Sequence, residues 1–289
     1  MNAILFIVTV LIWGTTWFAI TFQLGSVAIE WSLAYRFAIA ALILVIFCSA
    51  TGRTLKFPRS DHLIFLGLGI FLFSANYYYS YVATSHLTSG LVAVLFSTLT
   101  IMNIINSALF LKRPFEAKIL GAAGIGLVGI VMIFWNEMVN FSWQDAAIIG
   151  VLAIILAAFI ASLGSVIAGS SRAEPLPIIQ KNTWGMIYGT AILTIVALFS
   201  GKPMTIDLGA PYLISLAYLS VFGTIIAFTC FLLLISRIGI ERAGYFAVTF
   251  PVVALVISTL FEGYVWSLSS TAGIVLVLAG NTVVLRTKK

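Results

Sequence analysis

Charge is scarce in this chain: 8% of its 289 residues are Asp, Glu, Lys or Arg, against 62% hydrophobic. Mean hydropathy is +1.15. A water-soluble domain needs far more polar surface than this, so a soluble enzyme or binding module is excluded at the outset. Cysteine is rarer still. Cys48 and Cys230 lie within or at the end of apolar runs, where a lone cysteine behaves as a small hydrophobe, and they imply neither a disulfide nor a metal site. The two histidines, His62 and His86, show no metal-ligand spacing. No Asp or Glu stands in the middle of an apolar run, which disfavours proton or cation antiport through a central carboxylate. The GxxxxGK[ST] loop of an ATP-driven pump, the HExxH helix and the GxSxG elbow are all missing, so neither primary pumping by this chain nor an intramembrane enzyme is expected, and no cofactor. Strand-like alternation is absent as well, which disfavours a β-barrel.

What remains is one apolar run after another. A helix needs roughly 20 apolar residues to cross about 30 Å of hydrocarbon. Ten such runs are read, at about 3–22, 29–49, 63–82, 89–111, 119–135, 146–169, 178–200, 211–235, 242–261 and 268–286. The longest polar connection, Ala50 to His62, is too short for a soluble domain. The first run has no basic leader and no small-residue cleavage site, so it reads as a span, not a signal peptide.

Cytoplasmic loops carry the excess of Lys and Arg. Of the fifteen cations, Arg53, Lys56, Arg59, Lys112, Arg113, Lys118, Arg172, Arg237, Arg242, Arg286, Lys288 and Lys289 all fall in even-numbered turns or at the end of the chain. The odd-numbered turns hold only Lys202, with Glu30, Glu137, Asp145 and Glu262; Arg36 and Lys181 lie within spans. Both termini are therefore expected in the cytoplasm of a bacterial-type inner membrane. The net charge of +6 is topology and calls for no nucleic acid.

Shifting the chain by 151 residues aligns spans 4–5 with 9–10 without a gap. Thr98/Thr249, Ser107/Ser258, Leu109/Leu260, Phe110/Phe261, Leu127/Leu278 and Gly129/Gly280 then coincide. For spans 1–3 against 6–8 the match is fainter, with Trp13-Gly14-Thr15 facing Ile160-Ala161-Ser162. The expected fold is an all-α membrane protein with ten transmembrane helices in a 5+5 inverted repeat, residues 1–140 and 141–289. An odd number of spans per unit turns the second unit upside down, the symmetry that supports alternating access about a midplane site; a purely structural duplication is the alternative.

Several short motifs resemble the EamA family of the drug/metabolite transporter superfamily. They are Leu11-Ile12-Trp13-Gly14-Thr15-Thr16-Trp17-Phe18, Tyr35-Arg36-Phe37, Leu109-Phe110-Leu111-Lys112-Arg113 and Phe250-Pro251-Val252-Val253. The resemblance implies a ten-helix inverted-repeat carrier that exports amino acids or related metabolites. Two positions depart from the family pattern: Arg113 replaces the acid usual after span 4, and Thr100 stands where proline is expected.

Polar groups in hydrocarbon face the bundle interior or a wet cavity. Thr100, Asn103 and Ser107 share one face of span 4, with Asn106 adjacent; the stripe points at a solute path or at a neighbouring helix. Asn76-Tyr77-Tyr78-Tyr79-Ser80-Tyr81 concentrates phenols on span 3, with Asn76 and one or two tyrosines taken to face the solute. Trp13, Thr16 and Trp17 form an aromatic face on span 1, a solute wall or packing. Trp31, Trp135, Trp143 and Trp266 read as an interfacial belt. Arg36 is either a partner for a substrate carboxylate or a group that snorkels or bonds to carbonyls structurally, and Lys181 snorkels. Pro251 and Gly223-Thr224 are candidate hinges. Gly121, Gly124, Gly129, Gly273 and Gly280 mark close packing, within the chain or in a homodimer. The site set is then Trp13, Thr16, Trp17, Arg36, Asn76, Tyr77, Tyr78, Thr100, Asn103 and Thr224, for an amino acid or metabolite, with an organic cation as the alternative solute and a channel as the less favoured class.

Overall fold

A computed structural model describes residues 2–112, 117–133, 135–139, 145–261 and 266–286. Arg113, Trp143, Glu262, Lys288 and Lys289, and the side chains of Glu137, Asp145, Ser258 and Arg286, lie outside the described residues. Every regular element among those described is helical. Eight helices are long and apolar enough to cross a bilayer: α1 Asn2–Thr21, α2 Ile29–Ala50, α3 Arg59–Thr84, α4 Ser89–Leu111, then α6 Asp145–Ala168, α7 Ile178–Phe199, α8 Ala210–Ile238 and α9 Ile240–Phe261. Two shorter apolar helices, α5 Ala117–Ile133 and α10 Leu268–Arg286, stand where the fifth and tenth spans are expected.

Between apolar helices in lipid there is no hydrophobic drive, so association rests on close packing and interhelical hydrogen bonds. Helix α1 packs on α8 and α9, while α6 packs on α3 and α4; α2 pairs with α7, and α5 with α10. Exchanging each helix for the one five places along returns the same set of pairs. The α5–α10 pair obeys this exchange in detail. A β-carbon on Gly129 would lie 2.6 Å from the Gly273 carbonyl oxygen, and one on Gly280 would lie 2.7 Å from that of Ala122. These glycines are thus consumed inside the chain, whereas Gly121 and Gly124 face open space.

Helices α3 and α8 each contain one π-helical turn, Phe71–Ala75 and Val221–Ile226. In both, a hydroxyl bonds the carbonyl five residues back: Ser74 to Gly69 and Thr224 to Leu219, each at 2.8 Å. A wide turn leaves carbonyls that a short hydroxyl can satisfy, and such turns recur at functional sites.

The connections are tied across the molecule in the same reciprocal way. Trp31 of α2 donates its indole N–H to the Lys202 carbonyl in the α7–α8 connection, and Trp184 of α7 donates to Leu55 in the α2–α3 connection. Trp31 is accordingly 5% exposed, a packed residue and not part of a lipid-facing belt, unlike Trp135 and Trp266 at about half exposure. Lys181 does not snorkel either. It is buried and donates to the Ala173 carbonyl at 2.8 Å.

Next to the Trp31 tie, Asp207 accepts from the Ser26 hydroxyl and the Gly209 N–H, both at 2.7 Å, which hold its carboxyl below the usual carboxylate range. A depressed folded-state value means the stabilisation is present above the unfolded value and is lost as pH falls through the folded one. Amide exchange at Gly209, relative to its intrinsic rate, is expected to accelerate across that acidic window in the wild type. In Asp207→Ala it should be fast at every pH.

Candidate functional site

The C-terminal half of α1 brings Trp13, Thr16, Trp17 and Ile20 onto one face, the i, i+3, i+4, i+7 spacing of a single helical stripe. This stripe meets α3, α4, α6, α8 and α9 around a cavity with about 560 Å³ of empty space, its mouth included. Asn76, Tyr77 and Ser80 enter from α3 just after the π turn, Phe96 and Leu99 from α4, and Ala161 and Ser165 from α6. Phe228 and Phe231 come from α8, again just after its π turn, and Phe246 and Phe250 from α9. The lining carries no formal charge. Its polar side chains are Thr16, Asn76, Ser80 and Ser165, with the Tyr77 phenol and the two indoles.

The aromatic wall is interlocked. Trp13 meets Phe228, Phe231 and Phe246 with ring centroids at 5.1, 5.3 and 4.5 Å, and Trp17 meets Phe96 and Phe250 at 5.5 and 6.0 Å. Edge-to-face and tilted geometries of this kind add to simple area burial. The Trp13 indole N–H also donates to the Gly223 carbonyl at 3.1 Å, inside the α8 π turn, so a cavity residue is bonded to a wide turn of the opposite half.

Of the ten residues expected at the site, Trp13, Thr16, Trp17, Asn76 and Tyr77 line the cavity; Arg36, Tyr78, Thr100, Asn103 and Thr224 do not. The reasons are separate. Tyr78 points away, against the Tyr79 ring at 5.5 Å, because neighbouring residues on a helix diverge by about 100°. Thr100 and Asn103 face the start of α9: Thr100 donates to the Gly244 carbonyl at 3.3 Å, and a β-carbon on Gly244 would collide with the Asn103 amide. Further along the stripe Ser107 donates to the Glu241 carboxylate, and Asn106 donates to Ser162 of α6 at 2.9 Å. The span 4 stripe is therefore a helix contact. Both side-chain polar atoms of Asn103 are buried there without a partner.

Arg36 and Thr224 stand one layer behind the wall. The guanidinium is fully buried, donates from Nε to the Thr224 hydroxyl at 2.9 Å and from Nη1 to the Tyr81 phenol at 3.4 Å, and lies over the Tyr77 ring with Cζ 4.5 Å from its centroid. Its Nη2 has no partner. Gly223 is wedged between Thr16 and this guanidinium. Pro251 lies within α9 but does not interrupt it. The irregularity falls one to two turns earlier, at Gly244–Tyr245, where Ala247 and Val248 donate to carbonyls only three residues back. A proline cannot donate to the carbonyl four residues before it and crowds that turn, which displaces the break towards the N-terminus.

The five cavity phenylalanines were missed by sequence reasoning, because a Phe in an apolar span looks like any other core residue. Their spacing, Phe228/Phe231 and Phe246/Phe250, was the available signal.

The profile of the EamA-like transporter family matches residues 1–135 and 148–286. The chain belongs to the EamA-like transporter family. Among curated relatives, Protein PagO of Salmonella typhimurium is 25% identical over 283 residues, covering 96% of this chain and 90% of that one. An uncharacterized inner membrane transporter, YedA of Escherichia coli, is 27% identical over 250 residues, covering 86% and 79%. The uncharacterized transporter YdfC of Bacillus subtilis is 25% identical over 272 residues, covering 93% and 86%. The crystal structure of another protein superposes with a TM-score of 0.79 at 19% identity over 98% of this chain and 95% of that one, a likeness of fold. Family membership and the apolar helices make this EamA-like chain a multi-pass membrane protein of transporter type.

Proposed function

We propose that this protein is a secondary carrier working by alternating access, built as two five-helix halves of opposite orientation, that exports amino acids or related small metabolites across a bacterial-type inner membrane. The observation that carries the reading is the cavity itself: an uncharged, aromatic void whose walls come from both parts of the chain, ten lining residues before 100 and six after 160. Three features support the two-fold relation: the reciprocal helix pairs, the matching glycine contacts of α5 and α10, and the paired π turns of α3 and α8. Inverted halves let each adopt the other's packing, which opens one face of the cavity as it shuts the other. On this reading the α4–α9 contact around Thr100, Asn103 and Gly244 belongs to one closed face, and the unpartnered Asn103 amide gains water when that face opens. Both termini lie in the cytoplasm on this reading, which the distribution of cations supports.

Counterflow in proteoliposomes tests the proposal. Radiolabelled amino acids and quaternary amines are offered singly to vesicles preloaded with the same unlabelled solute. Saturable uptake above the external concentration is expected for at least one solute; flux that rises linearly without saturating would instead mark a channel. Export of organic cations is the competing reading, and it needs a cavity favourable to positive charge.

A further inference from the structure

An aromatic cavity without acids is ordinarily a cation trap, because the π faces of Trp, Tyr and Phe attract positive charge. This one has a fixed positive charge already built against it. Arg36 is fully buried, and among the described residues no carboxylate pairs with it. Glu30, six positions earlier on α2, is engaged by Lys202 at 3.0 and 3.2 Å, and Lys181 is spent on a carbonyl elsewhere. The guanidinium covers the Tyr77 ring, so the quadrupole of that lining residue is committed to a protein cation before any solute arrives. One of its N–H-bearing nitrogens, Nη2, has no acceptor, an unusual vacancy for a buried charge. Next to Tyr77 in the lining, the Asn76 carboxamide has an unpartnered oxygen and can turn either end towards a polar solute group.

We infer that Arg36 sets a charge rule for the cavity: it favours compact organic anions, a carboxylate on an apolar body, seated with the anionic end at the Asn76–Tyr77 wall, and it disfavours organic cations. The rule rests on the cavity being the solute site, as proposed above. Arg36 acts through the wall as a positioning charge and does not reach the lining. A group in contact with Tyr77 lies about 8 Å from the guanidinium, one ring contact beyond the 4.5 Å separation. At an effective dielectric near 20, a unit charge at about 8 Å shifts an equilibrium roughly 30-fold, in opposite senses for an anion and a cation. Water at the mouth screens part of this, leaving an expected separation of at least about tenfold.

Three probes of nearly one shape read the rule directly: phenylacetate, phenylacetamide and phenethylammonium. Each is titrated against the full-length protein in nanodiscs, with quenching of tryptophan fluorescence as the signal, since Trp13 and Trp17 line the cavity. The expected order is anion tightest, amide between and cation at least tenfold weaker than the anion. In Arg36→Gln the anion-to-cation ratio should collapse to within about threefold. Thr224→Val removes the same 2.9 Å hydrogen bond but keeps the charge, and it should preserve the wild-type order, which a merely structural role for Arg36 would not. If Arg36→Gln does not fold, the order in the wild type and in Thr224→Val still decides. A cation that binds as tightly as the anion in the wild type overturns the rule, as does a ratio that survives in Arg36→Gln. Saturable quenching by none of the three overturns the cavity reading itself, and the rule falls with it.

Discussion

Trp13→Ala is expected to abolish saturable counterflow, lowering kcat/KM by more than about 100-fold, while the protein remains inserted and monodisperse. The effect is large because Trp13 has three roles at once. It packs against Phe228, Phe231 and Phe246 in the cavity wall, it lines the cavity with its own ring, and it ties α1 to the α8 π turn through the Gly223 carbonyl. Truncating a buried Trp costs roughly 3–5 kcal/mol in packing alone. Trp13→Phe separates the roles, since it keeps a ring in the wall but removes the N–H. That variant should still bind solute within about fivefold of the wild type and yet turn over at least about tenfold more slowly. Initial rates of counterflow, normalised to protein recovered by size exclusion, read both. Rates within twofold of the wild type for Trp13→Ala would remove this cavity from the transport path.

The second large effect concerns assembly. Gly129→Leu places a β-carbon 2.6 Å from the Gly273 carbonyl oxygen and 3.0 Å from the Leu276 β-carbon. The first of these is backbone on a paired helix, so no rotamer change relieves it and α5 must separate from α10. With the pair forced apart, a fall in Tm of more than about 10 °C, or failure to recover monodisperse protein, is expected. Gly121→Ala and Gly124→Ala on the same helix meet nothing within 4 Å and should move Tm by less than about 2 °C. The contrast, measured by thermal aggregation in detergent, distinguishes close packing from a general intolerance of side chains on α5. A Gly129→Leu protein as stable as the two alanine variants would show that the halves do not meet along this seam.

Sequence reading went furthest where one residue's chemistry has one solution in lipid. Helices had to follow from apolar runs, the α1 stripe followed from its own period, and glycines of α5 and α10 marked a seam because nothing else lets two backbones touch. It went astray where a residue's partner lies far along the chain. The polar face of α4 was equally compatible with a cavity and with a neighbouring helix; the choice was made by Gly244 and Glu241, which a periodicity argument confined to α4 does not see. Trp31 looks interfacial until the carbonyl of Lys202 is brought to it. The π turns were invisible for a related reason: Ser74 and Thr224 are ordinary helix residues in sequence, and only the widened backbone makes their hydroxyls reach five residues back.

The Arg36–Thr224 bond also bears on how the chain is made. Its two ends are 188 residues apart, so at typical rates of synthesis roughly 10 to 40 s pass between emergence of the arginine and arrival of the hydroxyl that receives it. Throughout that interval α2 holds a cation with no acceptor from the second half, in a segment otherwise apolar enough to enter lipid. In that time the partners open to Arg36 are those of α3, the Tyr81 phenol and the Tyr77 ring, and the Nε contact closes only when α8 arrives.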